Sequence, residues 1–327
     1  MKSTTSSTIQ FLLKQAPNYL LMFVVLLTSC DSLVGIVDQD KLPEIQSKLV
    51  VESYISPQSP TIEVKVTESL PLYGEDKIDP VYIKNAVVTI SGEAGRLTIP
   101  YNDSTLSYLI DSSAFGIESG KTYELTVSDE RRSVKARTRV PDKIVLLKSY
   151  RIDTVPGEFD PLLAARVRFS WDDIKGETNF YSMRGYATTE ETTFIYDPVT
   201  LKSSLGRQQR QTPFYDYLKE IVIFSDINQD GITLTSPEST FSLPMDYKGT
   251  YIGSDGKEYP IDTDPKIAEI HVEILHLNES YYKFYQTLRD SDHKNNPFAE
   301  PLLIYNNIEG GLGCFGAYTV GINKITF

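Results

Sequence analysis

The sequence of 327 residues contains only two cysteines, Cys30 and Cys314, and only three histidines. So few cysteines exclude a disulfide framework as the basis of the fold. His271 and His276 lie five residues apart in a strand-like stretch, which places their side chains on opposite faces of a strand, and His293 stands alone in a polar segment. We therefore predict no zinc site and no other cofactor.

Positive charge is also scarce, since 32 lysines and arginines stand against 44 acidic residues, for a net charge of −12. A nucleic-acid-binding protein needs basic patches, and broad adhesion to anionic lipid needs them too. The composition therefore excludes nucleic acid as a partner and argues against a purely electrostatic attachment to membranes.

Familiar catalytic patterns are missing as well. The sequence has no Gly-x-Ser-x-Gly motif, no His-Glu-x-x-His motif and no glycine-rich phosphate loop. Adjacent acidic pairs such as Asp172-Asp173 and Glu190-Glu191 are typical of solvated loops in so acidic a chain. We predict that the protein is not an enzyme.

No apolar run is long enough to span a bilayer, which takes about 20 apolar residues. The longest near the start, Leu20–Leu27, follows Lys2 and Lys14 and is followed by Thr28-Ser29-Cys30. This order is typical of a bacterial lipoprotein signal, in which the cysteine thiol is the nucleophile that receives the lipid. We predict a signal peptide over residues 1–29 and lipidation of Cys30; the alternative is an ordinary signal peptide with a chance cysteine.

Several acyl chains on Cys30 would give stable membrane anchoring. Residues 30–43 are polar and unpatterned, which predicts a tether between the lipid and the folded part. Loss of residues 1–29 removes two lysines and no acid, so the mature chain carries a net charge of −14. An acidic body on a lipid anchor is expected to remain in solvent.

Seven short stretches with alternating apolar and polar residues occupy residues 44–141. In one of them Ile62, Val64 and Val66 alternate with polar residues, which is the period of a strand with one buried face. Turn residues separate the stretches, and Pro141 follows the last one. We predict an antiparallel β-sandwich of immunoglobulin or transthyretin type, separable from the remainder.

The segment 142–327 predicts a second β-rich domain with one short helix, so the whole chain is mainly β. Val167, Phe169 and Trp171 share one face of a strand, and Asn278 can cap a helix that begins at Glu279.

The best candidate for a metal site is the stretch Asp-Ile-Asn-Gln-Asp-Gly. Asp226, Asn228 and Asp230 match the first half of a calcium loop, and Gly231 permits its sharp turn. Pro237 occupies the position where the loop needs a bidentate glutamate. A polar hairpin turn is the favoured interpretation, and the calcium loop is the weaker one.

The stretch 306–318 has four glycines within seven residues. Such a segment is either a surface binding loop or a structural turn that leads into the final strand. Asn306, Asn307 and Glu309 are the residues through which a binding loop would make contact, whereas Leu312 is expected to be buried. Cys314, between a glycine and a phenylalanine, is expected to be a buried apolar residue.

Taken in order, these features resemble the DUF4249 family of Bacteroidota lipoproteins. The matching pieces include "KLVVESYISP", "FSWDDIKGETNFYSM", "ESYYKFYQTL" and "NPFAEPLLIYNNIEGGLGCFGAY". The resemblance implies an outer-membrane lipoprotein, often encoded beside a TonB-dependent transporter, and it carries no catalytic residues to transfer. It leaves open whether the protein faces the cell surface or the periplasm.

Two functions remain open at this point. The first is a non-catalytic accessory or ligand-binding module beside a TonB-dependent outer-membrane barrel, and the second is a structural or assembly component of the cell envelope with no small-molecule ligand.

Overall fold

The computed structural model describes residues 46–69, 79–156, 163–199, 202–214, 222–253, 256–291 and 303–327. The predicted signal peptide, Cys30 and the tether lie outside these residues. The described part of the chain is mainly β, as the alternation of apolar residues predicts.

Eight strands form in the first part of the chain, over the seven predicted stretches, one of which contains two strands. They are β1 (Leu49–Ile55), β2 (Thr61–Glu68), β3 (Val87–Gly92), β4 (Gly95–Ile99), β5 (Tyr101–Asn102), β6 (Ser107–Asp111), β7 (Thr122–Ser128) and β8 (Ser133–Arg139). A short 3-10 helix, Ser112–Ala114, follows β6.

Two sheets face each other across the first core. One contains β5, β6, β2 and β1 in that order, and the other contains β4, β3, β7 and β8. Ile62, Val64 and Val66 of β2 are at most 2 % exposed and pack in the same core as Ile90 of β3 and Leu125 of β7. Full burial of such side chains contributes about 1.5–3 kcal/mol each. The predicted sandwich is thus confirmed as an arrangement of strands.

A second pair of layers follows. Its strands are β9 (Leu147–Pro156), β10 (Leu163–Asp172), β11 (Phe180–Asp197), β12 (Lys202–Pro213), β13 (Ile223–Ser225), β14 (Thr233–Thr235), β15 (Ser239–Ser242), β16 (Lys248–Ile252), β17 (Glu258–Asp262) and β18 (Lys266–Leu277). Strand β10 lies between β9 and β15 and packs against β11 and β18. Val167, Phe169 and Trp171 are fully buried between these layers, on the one face that the sequence predicts.

The last strand, β19 (Leu312–Thr326), connects the two halves. Its first part, as far as Ala317, pairs in parallel with β1, and its second part, from Tyr318 onward, pairs antiparallel with β18. A single nine-stranded sheet therefore runs through both halves.

The first core also takes side chains from the C-terminal part of the chain. Ile308, Phe315 and Ala317 are at most 2 % exposed and belong to the same cluster as the side chains of β2 and β3. The limits predicted for the first sandwich, residues 44–141, therefore leave out a strand of its own sheet. Separability of that segment stays a prediction, and the shared strand argues against it.

One α-helix lies within the described residues, α1 (Glu279–Ser291), and it begins where the sequence predicts. The Asn278 side chain accepts a hydrogen bond from the Tyr281 N–H at 3.1 Å and so caps the helix. Among the described residues, no helix is both long enough and apolar enough to cross a bilayer.

Candidate functional site

A groove of about 750 Å³ lies where the end of β8, the start of α1 and the loop between β10 and β11 approach one another. A volume between 300 and 1,000 Å³ is typical of ligand sites. Residues of both halves of the chain line the groove, among them Arg137 and Arg139 of β8, Asn179 of the loop, and Asn278 and Tyr282 at the helix.

Asn278 holds the β8 side of the groove to the helix side. Its amide group donates to the Thr138 Oγ1 at 2.7 Å, and its Oδ1 accepts from the main-chain N–H groups of Ala317 and Tyr281, each at 3.1 Å. One side chain thus ties β8, β19 and α1 together. The sequence predicts only the helix cap, because the other two partners are distant in sequence.

His276 lines the groove from β18 and is buried against the ring of Tyr181, with the ring centroids 5.4 Å apart. Burial lowers the pKa of the imidazole, since a charged ring would lose its hydration, although the carbonyl of Lys143 partly opposes this effect. In the neutral form Nδ1–H donates to that carbonyl at 3.1 Å. His271 points to the other face of the strand, where it contacts Glu273, as the five-residue spacing predicts.

Charged side chains at the mouth of the groove are paired. Arg137 contacts Glu124 at 2.8 Å and Arg139 contacts Asp142 at 2.9 Å. On the helix, Lys283 contacts Glu279 at 2.8 Å. All of these side chains are exposed to solvent, apart from Glu124, which is only partly exposed. Each pair therefore contributes at most about 1 kcal/mol to stability. The mouth therefore carries opposite charges in near balance.

Aromatic rings provide the apolar part of the lining. Phe180 and Tyr282 stack with their centroids 4.4 Å apart and their planes 22° from parallel. Both rings remain partly exposed, whereas Leu277 beside them is buried. The groove thus combines hydrogen-bonding groups on β8 and α1 with a stacked aromatic pair.

A smaller cavity of about 270 Å³ adjoins the groove and shares Glu177, Thr178 and Ile227 with it. It contains the three residues of the predicted calcium loop, Asp226, Asn228 and Asp230. The structure adds a carboxylate that sequence reasoning places in a solvated loop. Asp173 is 9 % exposed, and one oxygen each from Asp173, Asp226 and Asp230 lie within 4.8 Å of one another.

Hydrogen bonds from two loops reach these carboxylates. Asp173 accepts from the Tyr181 hydroxyl and from the Gly231 N–H, each at 2.7 Å, and Asp230 accepts from the Gly176 N–H at 2.7 Å. Asp226 is 2 % exposed and accepts from the Asn179 amide at 3.4 Å. The carboxylates therefore join the 173–179 loop to the 226–231 turn beside the groove.

The same oxygens could hold a hard divalent cation, because calcium binds carboxylate and amide oxygens in flexible geometry. Asn228 and Gly231 adopt positive φ angles of 66° and 70°, which gives the tight turn that either interpretation needs. The hydrogen bonds just described also account for the cluster without an ion. The calcium loop stays the weaker interpretation of Asp226, Asn228 and Asp230.

The predicted binding loop lies at the opposite end of β8 from the groove. Asn306 contacts the main chain of Ile308 and Gly311, and Asn307 exchanges two hydrogen bonds of 2.9 Å with the main chain of Phe315. Both amides thus hold the turn that leads into β19. These contacts favour the structural alternative for this stretch, and a binding role for the two asparagines stays a prediction.

Glu309 makes a different contact. Its main chain forms an isolated antiparallel bridge with Lys135 of β8, and its carboxylate lies 3.2 Å from the Lys135 ammonium.

Leu312 is 37 % exposed, so the expectation that it is buried is wrong. Cys314 is fully buried, and burial raises the pKa of its thiol, as expected of an apolar residue.

A family model described as a domain of unknown function, DUF4249, matches residues 38–323. No curated protein matches the chain. The match covers every described strand and the helix apart from the last residues of β19. Since the match extends over most of the chain, the protein belongs to the DUF4249 family.

Proposed function

We propose that this protein is a lipid-anchored, non-catalytic binding protein of the outer membrane that acts as an accessory to a TonB-dependent transporter. The observation that carries the proposal is the groove of about 750 Å³ between β8 and α1. It is large enough for a ligand or a peptide segment, and residues from both halves of the chain build it.

The chemistry of the lining supports binding over catalysis. His276 is engaged with the Lys143 carbonyl, and the described cations at the mouth contact carboxylates. A nucleophile within reach of a free base is what catalysis by acyl or proton transfer would require. Beside these paired charges the lining presents amide, hydroxyl and aromatic groups, which select a partner by shape and hydrogen bonding.

The lipid anchor is the second part of the proposal, and the order Leu27-Thr28-Ser29-Cys30 behind an apolar run supports it. An acidic body with a lipid at one end would stand beside a barrel without adhering to anionic headgroups. The resemblance to lipoproteins that are encoded beside such transporters supports the barrel as the partner.

Replacing Cys30 with alanine is expected to abolish incorporation of labelled palmitate and to release the protein from washed outer membranes. The reason is that no other thiol is available at the signal. Cys314→Ala is the matched control and should label as the wild type does, because Cys314 is buried. A Cys30→Ala protein that still labels, or that stays in the membrane pellet after a high-salt wash, would refute the anchor.

A further inference from the structure

Strand β8 is an edge strand whose outer side borders the groove. It pairs with β7 along its length, and on the other side only Glu309 bridges to it within the described residues. An edge of this kind presents main-chain donors and acceptors to any extended segment that approaches.

The pairing pattern shows which residues carry the outward groups. The N–H and C=O of Lys135 bond to Glu309, at 3.2 and 2.8 Å, so they point away from β7. Val140 exchanges its hydrogen bonds with the chain that leads into β7, at 2.9 and 3.1 Å. Because main-chain groups alternate in direction along a strand, those of Arg137 and Arg139 also point outward.

Within the described part of the chain, no main-chain hydrogen bond reaches the N–H or C=O of Arg137 or Arg139. Both residues line the groove. Two donors and two acceptors in the spacing of a β-ladder therefore belong to residues that line a space of about 750 Å³. The chemical group that matches this spacing is another extended main chain.

Glu309 shows how such a segment fits. It is a single residue of an added antiparallel strand, with its main chain on Lys135 and its carboxylate 3.2 Å from the lysine ammonium. Asn307, two residues before Glu309, would lie opposite Arg137 if the antiparallel pairing continued. It bonds instead to the main chain of Phe315, so the next positions along β8 are left without a strand.

We propose that an extended segment of a partner protein, acidic at alternate positions, adds as an antiparallel strand to Arg137 and Arg139 in this groove. The inference deepens the proposed binding role, on which it rests, by naming the class of ligand. The side chains of Arg137 and Arg139 are 76 % and 62 % exposed, so each guanidinium has room for a second carboxylate.

The alternate side chains of the added strand would turn toward the groove lining. There the stacked Phe180 and Tyr282 rings provide an apolar surface. A segment that alternates acidic with apolar residues therefore matches both sides of the site: carboxylates beside the arginines, and apolar side chains against the rings.

The test uses the full chain purified in detergent and an acetylated, amidated hexapeptide of alternating glutamate and valine. The peptide is expected to slow hydrogen exchange of the Arg137 and Arg139 amides at least fivefold while leaving the Thr138 amide, which already bonds to β7, unchanged. An alternating lysine and valine peptide is expected to bind at least tenfold more weakly. A glutamate peptide methylated on alternate main-chain nitrogens is expected to give no protection, because it cannot form the ladder.

The matched variants are Arg137→Pro and Arg137→Gln. Proline at 137 removes the outward N–H without removing a bond to β7, so it should abolish protection at Arg139 while the protein still folds. Glutamine keeps the N–H and should retain main-chain protection with weaker binding. The inference is overturned if the methylated peptide protects the Arg137 and Arg139 amides from exchange as well as the glutamate peptide does. It is also overturned if the glutamate peptide gives no protection at 1 mM. Both measurements use the wild-type protein, so they decide the question even if Arg137→Pro fails to fold. Since the purified protein is used, failure here leaves the anchor and the transporter partner to be judged separately.

Discussion

Gly313→Ala is expected to prevent stable folding, with a loss of more than about 4 kcal/mol in the free energy of unfolding. Gly313 lies opposite Val51 where β19 pairs with β1, and its φ angle of +110° is one that residues with a side chain rarely adopt. An added Cβ would lie 2.1 Å from the Val51 carbonyl oxygen. Because that oxygen belongs to the main chain of a buried strand, it cannot move aside cheaply. Far-UV circular dichroism during a thermal melt measures the loss.

Two control variants separate crowding from backbone strain. An alanine Cβ at Gly116 meets nothing within 4 Å and needs no positive φ, so Gly116→Ala should melt like the wild type. Gly95 has a φ of +120° but open space around it, so Gly95→Ala should cost only about 1–3 kcal/mol. A Gly313→Ala protein that melts within a few degrees of the Gly95 variant would show that β19 does not approach β1 as closely as described.

Removing residues 312–327 is expected to unfold the first half of the chain as well as the second. Truncation takes the fully buried Phe315 and Ala317 out of the first core and removes the strand between β1 and β18. Loss of a buried phenylalanine side chain alone costs about 3–5 kcal/mol, against a typical stability of 5–15 kcal/mol for a whole domain. The expected result is a protein without a cooperative melt, and the isolated segment 44–141 should behave in the same way.

Restoring the missing strand provides the control. In this control a linker of glycine and serine joins residues 47–141 to residues 306–320. The linker has about ten residues and spans about 17 Å. The fusion protein thus regains Ile308, Phe315 and Ala317 in its core. This fusion should melt cooperatively where 44–141 alone does not. If 44–141 alone melts cooperatively and at the same temperature as the fusion, the shared strand is dispensable and the predicted boundary at residue 141 is a true domain boundary.

Local patterns in the sequence predict most individual elements. The alternation of Ile62, Val64 and Val66 with polar residues specifies β2 and its buried face, because the period of a strand is two. Asn278 and Glu279 likewise specify where α1 begins. These predictions succeed because each depends on residues that are close together in the chain.

Long-range pairing is what the sequence does not predict. The contact of β19 with β1 joins the two ends of the described chain, and no periodicity encodes a partner so far away. The cluster of glycines indicates close approach of main chains, but it does not say which strand Gly313 meets. The sequence does not place Asp173 beside Asp226 for the same reason, although it shows the pair Asp172-Asp173 at the end of β10.

The candidate site divides in the same way. The sequence identifies Asp226, Asn228 and Asp230 as a polar turn, and the structure places these residues in a smaller cavity that adjoins the groove. The groove itself follows from the meeting of β8, α1 and two loops, which only the tertiary fold brings together. The outward main chain of Arg137 and Arg139 depends on strand order, and strand order is a property of the sheet.

A photo-crosslinking measurement in intact outer membranes tests the central claim most directly. The crosslinking probe, benzoylphenylalanine, replaces Arg139 at the groove. In the control it replaces Thr98, an exposed residue of β4 on the opposite edge of the same sheet. The account predicts that the probe at 139 crosslinks to a TonB-dependent barrel, that the probe at 98 does not, and that Arg137→Pro lowers the yield at 139. A barrel captured equally from both positions would contradict the groove as the contact, and no barrel from either position would favour a structural role in the envelope.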